Sequence, residues 1–540
     1  VETLTPQDAT RYWLSRRTCN DLFLLYCFDD TGRSTAELRA AVAERSAGIP
    51  DLSVRVRERR FAYPAWEPCG FTDDQVPEHD LAEPTWSNVI AALGELLPHG
   101  VRADRHAWCL HVFRAVTGTP GGDAPALVAV LQISHALADG QRAAAIARAL
   151  FTEGPRAGDQ EPSRMDDRDR PPIAAEGAVL PGRSPSFRRP RLLRRAIGPR
   201  LFRRAMALQS FRRAMALQSF RRAFGRNLPR PSGGSQPKAC RDDGGVPQVP
   251  RRLADEVSRA EGLVAELVSL ATFPVQLART VVRGFAAERA RRELGERTER
   301  GEVPRPAPSF PPTLLNRPPV PESHAVRMLV RDDLRVPGFT VTVVVLTAVA
   351  SALTRYLAAR GEPEADMAAQ VSMALPERNS GPRNNYRDLG VELHGAETDL
   401  RRRAERIGAD LDLRRARAGH PLLRAQDRVT AVLPATVLRR DVATYPMDQV
   451  PDALGGHTVV SSVNRGPADL TFGGGRVRFT AGFPALGAVM HLTHGVHGLG
   501  DTVTVSIHAD PAAISDIDTY ADLLDTALTE VLDAVKPLAE

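Results

Sequence analysis

Aromatic residues are scarce in this chain of 540 residues, at 5%, yet hydrophobic residues reach 43%, so most of the chain can still fold around aliphatic cores. Cysteine is also scarce: only Cys19, Cys27, Cys69, Cys109 and Cys240 occur, and no two have CxxC spacing. An odd number in so long a chain argues against a disulfide framework and fits a reducing compartment. No apolar run reaches the roughly 20 residues that a membrane-spanning helix needs. The longest, residues 339–353, is ended by Thr354 and Arg355 and reads as a buried strand or helix. No N-terminal stretch combines a basic start, an apolar run and a small-residue cleavage site, so a cytoplasmic location is expected. Acidic residues are missing altogether between Glu176 and Asp242, and the surplus behind the net charge of +6 sits there.

The length suggests two domains, or two plus a large insertion. Residues 1–155 alternate strand-like runs with helical patterns, residues 156–321 are compositionally biased, and residues 322–540 look globular again. In the first zone, residues 20–28, 107–116 and 126–133 read as strands, and residues 35–47 and 141–151 as helices, the former capped by Ser34 or Thr35. In the last zone, residues 324–330, 486–492 and 502–509 read as strands, and residues 514–535 as a helix capped by Ser515. The fold class expected is therefore mixed α/β.

The middle zone contains a tandem repeat. Residues 202–210 read Phe-Arg-Arg-Ala-Met-Ala-Leu-Gln-Ser, and residues 211–219 repeat them. Nine residues turn an α-helix through about two and a half turns, so equivalent positions fall on opposite faces. The repeat therefore builds no continuous apolar stripe and reads as a duplication in a tolerant segment. Residues 252–299 read as a long charged helix with Leu263, Leu267, Leu270 and Phe273 at helical spacing, and residues 303–321 as a proline-rich linker.

One segment carries chemistry. The apolar run 127–133 stops at Ser134-His135, and Asp139-Gly140 leads into the next helix. A histidine at the end of a buried strand sits where a cleft can open. With an ordinary pKa of about 6.5, much of it is neutral and basic at physiological pH. Asp139 can fix the turn by bonding backbone or a basic group, and Gly140 allows close backbone approach or positive φ. HxxxDG is short, and a histidine at a strand end is more often structural, so the context must decide.

That context resembles the bacterial wax ester synthase/diacylglycerol acyltransferase family, within the coenzyme A-dependent acyltransferases. The family pattern is HHxxxDG. His135 matches its second histidine, Asp139 the aspartate and Gly140 the glycine, while Ser134 replaces the first histidine. Further segments match in order: Leu4-Thr5-Pro6-Gln7-Asp8-Ala9, Pro64-Ala65-Trp66, Ser461-Ser462-Val463-Asn464-Arg465-Gly466-Pro467, and His508-Ala509-Asp510-Pro511 followed by Asp516. Two departures stand out: Thr342 and Val343 where the family often has Asn-Asp, and Gln370-Val371-Ser372 where it has Pro-Val-Ser.

The resemblance implies two chloramphenicol-acetyltransferase-like domains around a central tunnel, with His135 midway along it as the general base. Asp139 would be structural and salt-bridged to an arginine. Trp66, Asn464 and Gly466 become candidates for substrate binding. The reaction implied is transfer of a fatty acyl group from acyl-coenzyme A, as substrate, to a long-chain alcohol or diacylglycerol, with no bound cofactor and no metal. A weakly active or non-catalytic lipid-binding relative, or an enzyme for another hydroxyl acceptor, is the alternative that Ser134, Thr342 and Val343 leave open.

Other features are weighed against plainer readings. His491, His494 and His497 have HxxHxxH spacing, but Gly495 and Gly498 break a helix there, so zinc binding is not expected. Gly473-Gly474-Gly475 lacks the Lys-Ser or Lys-Thr of a phosphate loop and reads as a hairpin turn. The arginine-rich residues 183–230, with Arg183 and Arg230 at their ends, could contact anionic membrane headgroups, placing the protein at the inner membrane or at lipid bodies. The competing reading is a solvated linker; nucleic acid is not expected as a partner.

Overall fold

The computed structural model describes residues 2–152, 249–318, 324–362, 366–375 and 381–536. The arginine-rich residues 183–230 and the tandem repeat within them lie outside the described residues.

The first half supplies β1 (Leu22–Asp29), β2 (Val54–Arg57), β3 (Ala65–Pro68), β4 (Trp108–Val116) and β5 (Ala126–Ile133), with α1 (Pro6–Leu14), α2 (Thr35–Ala47), α3 (Trp86–Leu96) and α4 (Gly140–Phe151). A long helix, α5, spans Val249–Glu299. Then come β6 (Ala325–Arg331), α6 (Val341–Ala358), β7 (Ala368–Ala374), β8 (Tyr386–Glu392), α7 (Leu400–Ala418), α8 (Arg424–Thr430) and α9 (Ala435–Ala443). The chain ends with β9 (Thr458–Asn464), β10 (Thr471–Phe472), β11 (Gly475–Phe483), β12 (Leu492–Leu499), β13 (Thr502–Ala509) and α10 (Ile517–Val535).

Two larger sheets organise these elements. One has the order β10-β11-β1-β5-β4 and the other β6-β13-β12-β9-β7-β8. The mixed α/β class is thus as the sequence indicates. β1 is apolar almost throughout because it is buried on both faces: Leu24, Tyr26 and Phe28 enter one core, and Phe23, Leu25 and Cys27 another. β10 and β11, late in the chain, complete the first sheet, β11 pairing antiparallel with β1 and β10 with β11, so no single cut in the chain separates the two sheets. The sheets meet tightly at Gly482 and Gly495, where a Cβ on Gly495 would collide with the carbonyl oxygen of Gly482. That approach accounts for a glycine in the middle of β12.

Local signals explain most boundaries. Ser34 and Glu37 form a reciprocal capping box for α2. The buried run after residue 339 is a helix, α6, begun by the Thr340 side chain accepting from the Val343 backbone and packed in a second core, that of the β6-to-β8 sheet. Two expectations need correction. Residues 486–491 are not a strand: Pro484 follows the end of β11, a bridge between Gly487 and Met490 closes a turn, and the strand begins at Leu492. The last helix is capped by Asp516, whose carboxylate accepts from the Thr519 backbone, and not by Ser515. β11 itself had no counterpart in the sequence reading. The glycines at 473 and 474 adopt φ of +60° and +83° and turn β10 into β11, so this is the expected hairpin turn.

Candidate active site

The end of β5 forces the chain into a tight turn. Ser134 donates its backbone N–H to Ala107 at 2.9 Å, and Leu137 donates back to the Ser134 carbonyl at 2.8 Å. Ala136, Leu137 and Ala138 are buried and anchor the turn, while His135 between them keeps partial exposure. Asp139 then caps α4 by accepting from the Arg142 backbone at 3.0 Å. Nδ1 of His135 lies 3.1 Å from the carbonyl oxygen of Ala138. A carbonyl can only accept, so Nδ1 carries the proton and Nε2 presents the lone pair. That is the tautomer a general base needs.

The facing wall is the segment 383–386, from the other half of the chain. The hydroxyl of Tyr386 lies 3.3 Å from Nε2 of His135, and the two rings stack with centroids 5.9 Å apart. Arg11, on α1, donates to the same hydroxyl from above the Tyr386 ring. Asn384 donates from Nδ2 to the His135 carbonyl at 2.7 Å.

This segment is held by the chain's N-terminal motif. Thr5 caps α1 and Pro6 occupies its first turn, which places Asp8 just behind. The buried Asp8 carboxylate accepts from the backbone of Arg383 at 3.2 Å and of Asn384 at 3.0 Å, and from Asn384 Nδ2 at 3.0 Å. Asp139 grips the same segment, accepting from the Asn385 backbone at 3.0 Å and donating its own N–H to the Arg383 carbonyl. Arg383 reaches the other way, pairing with Asp51 and Glu2 and lying over the Trp66 ring at 4.7 Å.

The electrostatics favour a neutral base. Burial, and next the nearby Arg11, push the His135 pKa down to about 3. His135 is therefore neutral at physiological pH. Burial pushes Tyr386 up to about 12 against the pull of Arg11, so its hydroxyl keeps its proton. Burial opposes ionisation of Asp51, but Arg142 and Arg383 outweigh it and hold its carboxyl below the usual range.

The other sequence candidates fall into place around this centre. Asp139 is structural, but not through an arginine: among the described residues its carboxylate takes two backbone N–H groups and forms no ion pair. Gly140 needs smallness, since an added Cβ would lie 3.2 Å from Val463 Cγ2, and it has no positive φ. Ser134 is buried, and among the described residues its Oγ has no hydrogen-bond partner. Trp66 is buried beneath Arg383. Asn464 is exposed and accepts from the Gly466 backbone at 3.0 Å, and Gly466 turns there with φ +87°. Thr342 and Val343 form the first turn of α6, with Val343 in the second core.

The histidines of HxxHxxH do not converge. His491 pairs with Asp510 at 3.0 Å, His494 hydrogen-bonds with Thr458 and Tyr520, and His497 adjoins Gly482. Among the described residues, Glu392, His394 and Asp410 are the one group whose ligand atoms lie within 4.8 Å of one another, and Arg414 occupies Asp410 at 3.3 Å, as in an ordinary ion-pair network. Sequence reasoning missed Arg11, Asn384 and Tyr386. The run Asn384-Asn385-Tyr386 carries no recognisable spacing, and its role arises only when it docks on Asp8.

Residues 386–531, which begin at Tyr386, match the family described as the WS/DGAT C-terminal domain. The matched stretch runs from the first residue of β8 into α10. The WS/DGAT match is accompanied by a likeness of fold to the wax ester synthase/diacylglycerol acyltransferase from Marinobacter aquaeolei VT8, with 15% identity and a TM-score of 0.54, covering 98% of this chain and 99% of that one. The first condensation domain of the calcium-dependent antibiotic synthetase follows at 15% identity and a TM-score of 0.49, covering 100% of this chain and 97% of that one. The starter condensation domain of rhizomide synthetase, in complex with C8-CoA and Leu-SNAC, has 12% identity and a TM-score of 0.48, covering 99% of this chain and 95% of that one. No curated protein matches the sequence significantly.

Proposed function

We propose that the protein is an O-acyltransferase that moves a fatty acyl group from acyl-coenzyme A to a long-chain alcohol or diacylglycerol, with His135 as general base. The observation that carries this reading is the disposition of the imidazole. Its Nδ1 proton is committed to Ala138, and its Nε2 lone pair faces the Tyr386 hydroxyl in the space between the two walls. When an acceptor alcohol takes the place beside Nε2, its proton passes to Nε2 as its oxygen attacks the thioester carbonyl carbon. The carbonyl oxygen becomes an oxyanion, and the Tyr386 hydroxyl, backed by Arg11, is a donor suited to it. Collapse of the adduct breaks the C–S bond, and the thiolate of coenzyme A takes the proton from Nε2. The ester and the free thiol leave, and the histidine is again neutral. The acyl donor is a substrate, and no step calls for a resident cofactor. A cytoplasmic protein at a membrane or lipid-body surface would meet both substrates.

One observation favours a second reading, a lipid-binding relative without efficient turnover: Ser134 stands where the family has a histidine, and its buried hydroxyl has no hydrogen-bond partner among the described residues. The two readings separate in one experiment. The purified full chain is given radiolabelled palmitoyl-coenzyme A with hexadecanol and diacylglycerol in parallel, and ester and free thiol are followed. Ester formation is the expected result and ranks the acceptors. Absence of both ester and thiol release would favour the binding protein.

A further inference from the structure

The long helix α5 is amphipathic in the wrong sense for a helix packed on a water-soluble body. Helices ordinarily bury their apolar stripe and show a polar face to solvent. Here the polar side faces the protein. Glu266 accepts from the Arg60 backbone at 2.7 Å, Ser269 donates to the Phe61 carbonyl at 2.7 Å, and Thr280 donates to the Val432 carbonyl at 3.0 Å. Arg283 donates to the Arg428 carbonyl at 2.9 Å.

The apolar side faces out. Leu263, Leu267, Leu270 and Phe285 form one row at helical spacing, each 48% or more exposed. Val264, Val268, Val275 and Val282 form the adjacent row, with exposures from 52% to 68%. Contiguous apolar patches beyond roughly 300–600 Å² are uncommon on soluble monomers and mark a surface that something covers.

The charges beside this face have one sign. Between residues 263 and 292 the exposed ionisable side chains are Arg279, Arg283, Arg289, Arg291 and Arg292. Glu266 and Glu288 are half-buried, the first bound to the Arg60 backbone and the second to Arg291 and Arg292. The sequence that precedes the helix, residues 177–241, adds many arginines and no acidic residue. An outward apolar face rimmed mainly by arginine, with Glu261 the exposed carboxylate at its N-terminal end, is complementary to a lipid surface with anionic headgroups.

By length and composition, residues 261–299 could cross a membrane. The contacts from Glu266 to Arg283 argue for a different placement, because they fix about 25 Å of helix along the protein body. We infer that α5 lies flat in the headgroup region of an anionic phospholipid surface, inserting the face of Leu263, Leu267, Val282 and Phe285. This deepens the reading of a lipid acyltransferase but stands on the helix alone. Its test is read without turnover, so its failure would leave the chemistry at His135 untouched.

The test is flotation of the full chain with phosphatidylcholine vesicles, with and without phosphatidylglycerol. The wild type is expected to float with the anionic vesicles. The combined variant Leu263→Gln, Leu267→Gln, Val282→Gln and Phe285→Gln should lose at least about tenfold in binding, and its melting temperature should hold because all four side chains are exposed. Arg279→Gln with Arg289→Gln should weaken binding to the anionic vesicles only. A wild type that floats with neither vesicle, or a four-site variant that floats like the wild type, would overturn the inference. A wild-type dimer that the four substitutions dissociate, with no flotation, would assign the face to a second copy of the chain and overturn it equally.

Discussion

The hydroxyl of Tyr386 lies 3.3 Å from Nε2 of His135, between that nitrogen and the guanidinium of Arg11. Two residues 251 positions apart in sequence thus share one proton path. If Tyr386 donates to the oxyanion, Tyr386→Phe should lower kcat by about 10²–10³-fold with little change in KM, the usual cost of one lost oxyanion donor. A hydroxyl that merely blocks the base would give the opposite result, a Phe variant faster than wild type. Steady-state kinetics of the two proteins decides between them.

Asp8 tests whether the facing wall depends on the N-terminal motif. Its carboxylate serves the backbone N–H groups of Arg383 and Asn384 as well as the Asn384 side chain. Asp8→Ala leaves buried donors without acceptors, which costs about 1–3 kcal/mol for each such group. A lower melting temperature and a lower kcat are expected together, since the segment carries Tyr386. A variant with unchanged stability and rate would show that the segment is held by its other contacts.

Ser134 is the main departure from the family pattern, and its surroundings predict how it responds. Its hydroxyl is buried and unpartnered, so Ser134→Ala should change stability by less than about 0.5 kcal/mol. Ser134→His adds a ring to a filled site and should cost about 1–3 kcal/mol by overpacking. Urea unfolding of both variants measures this, and the His variant has to be judged against that loss before any change in rate is interpreted.

Buried histidines make the fold sensitive to acid. Burial is the first cause that pushes His111, His324 and His494 down to about 4 and His135 and His508 down to about 3. The unfolded chain takes up these protons near the ordinary value of about 6.5, whereas the folded chain resists them. The stability these groups contribute is therefore complete above about pH 6.5 and lost as pH falls toward about 4. Asp21 and Asp441, raised to about 6 by burial, act in the opposite direction but are outnumbered. Denaturant midpoints should fall between about pH 7 and about pH 5, and a midpoint that rose would contradict the account. For the same reason the rate should not decline near pH 6.5, as it would for an unperturbed histidine base; its acid limb should lie lower.

Much of this fold is legible in the sequence where local signals suffice. The strands at Ala126–Ile133 and Thr502–Ala509 and the helix at Thr35–Ala47 lie where apolar runs and the Ser34 cap put them. β11 is not legible, because its partner β1 lies some 450 residues away and only that pairing makes it a central strand. The same limit applies to the site. His135, Asp139 and Gly140 form a continuous motif at a strand-to-helix turn and can be read directly. The residues leave Asp139 open to backbone or a basic group and the family resemblance implies an arginine, yet the docked segment 383–385 offers it a backbone N–H. Arg11 and the pair Asn384 and Tyr386 come from two distant stretches, and their meaning depends on tertiary docking that no local pattern encodes.

The measurement that tests the central claim most directly is acyl transfer by His135→Ala beside the wild type, with radiolabelled palmitoyl-coenzyme A and whichever acceptor the wild type prefers, and with both proteins shown to melt alike. The account predicts a loss of about 10²–10⁴-fold in turnover, the contribution usual for a general base. A variant that keeps the wild-type rate would contradict it and remove His135 from the chemistry.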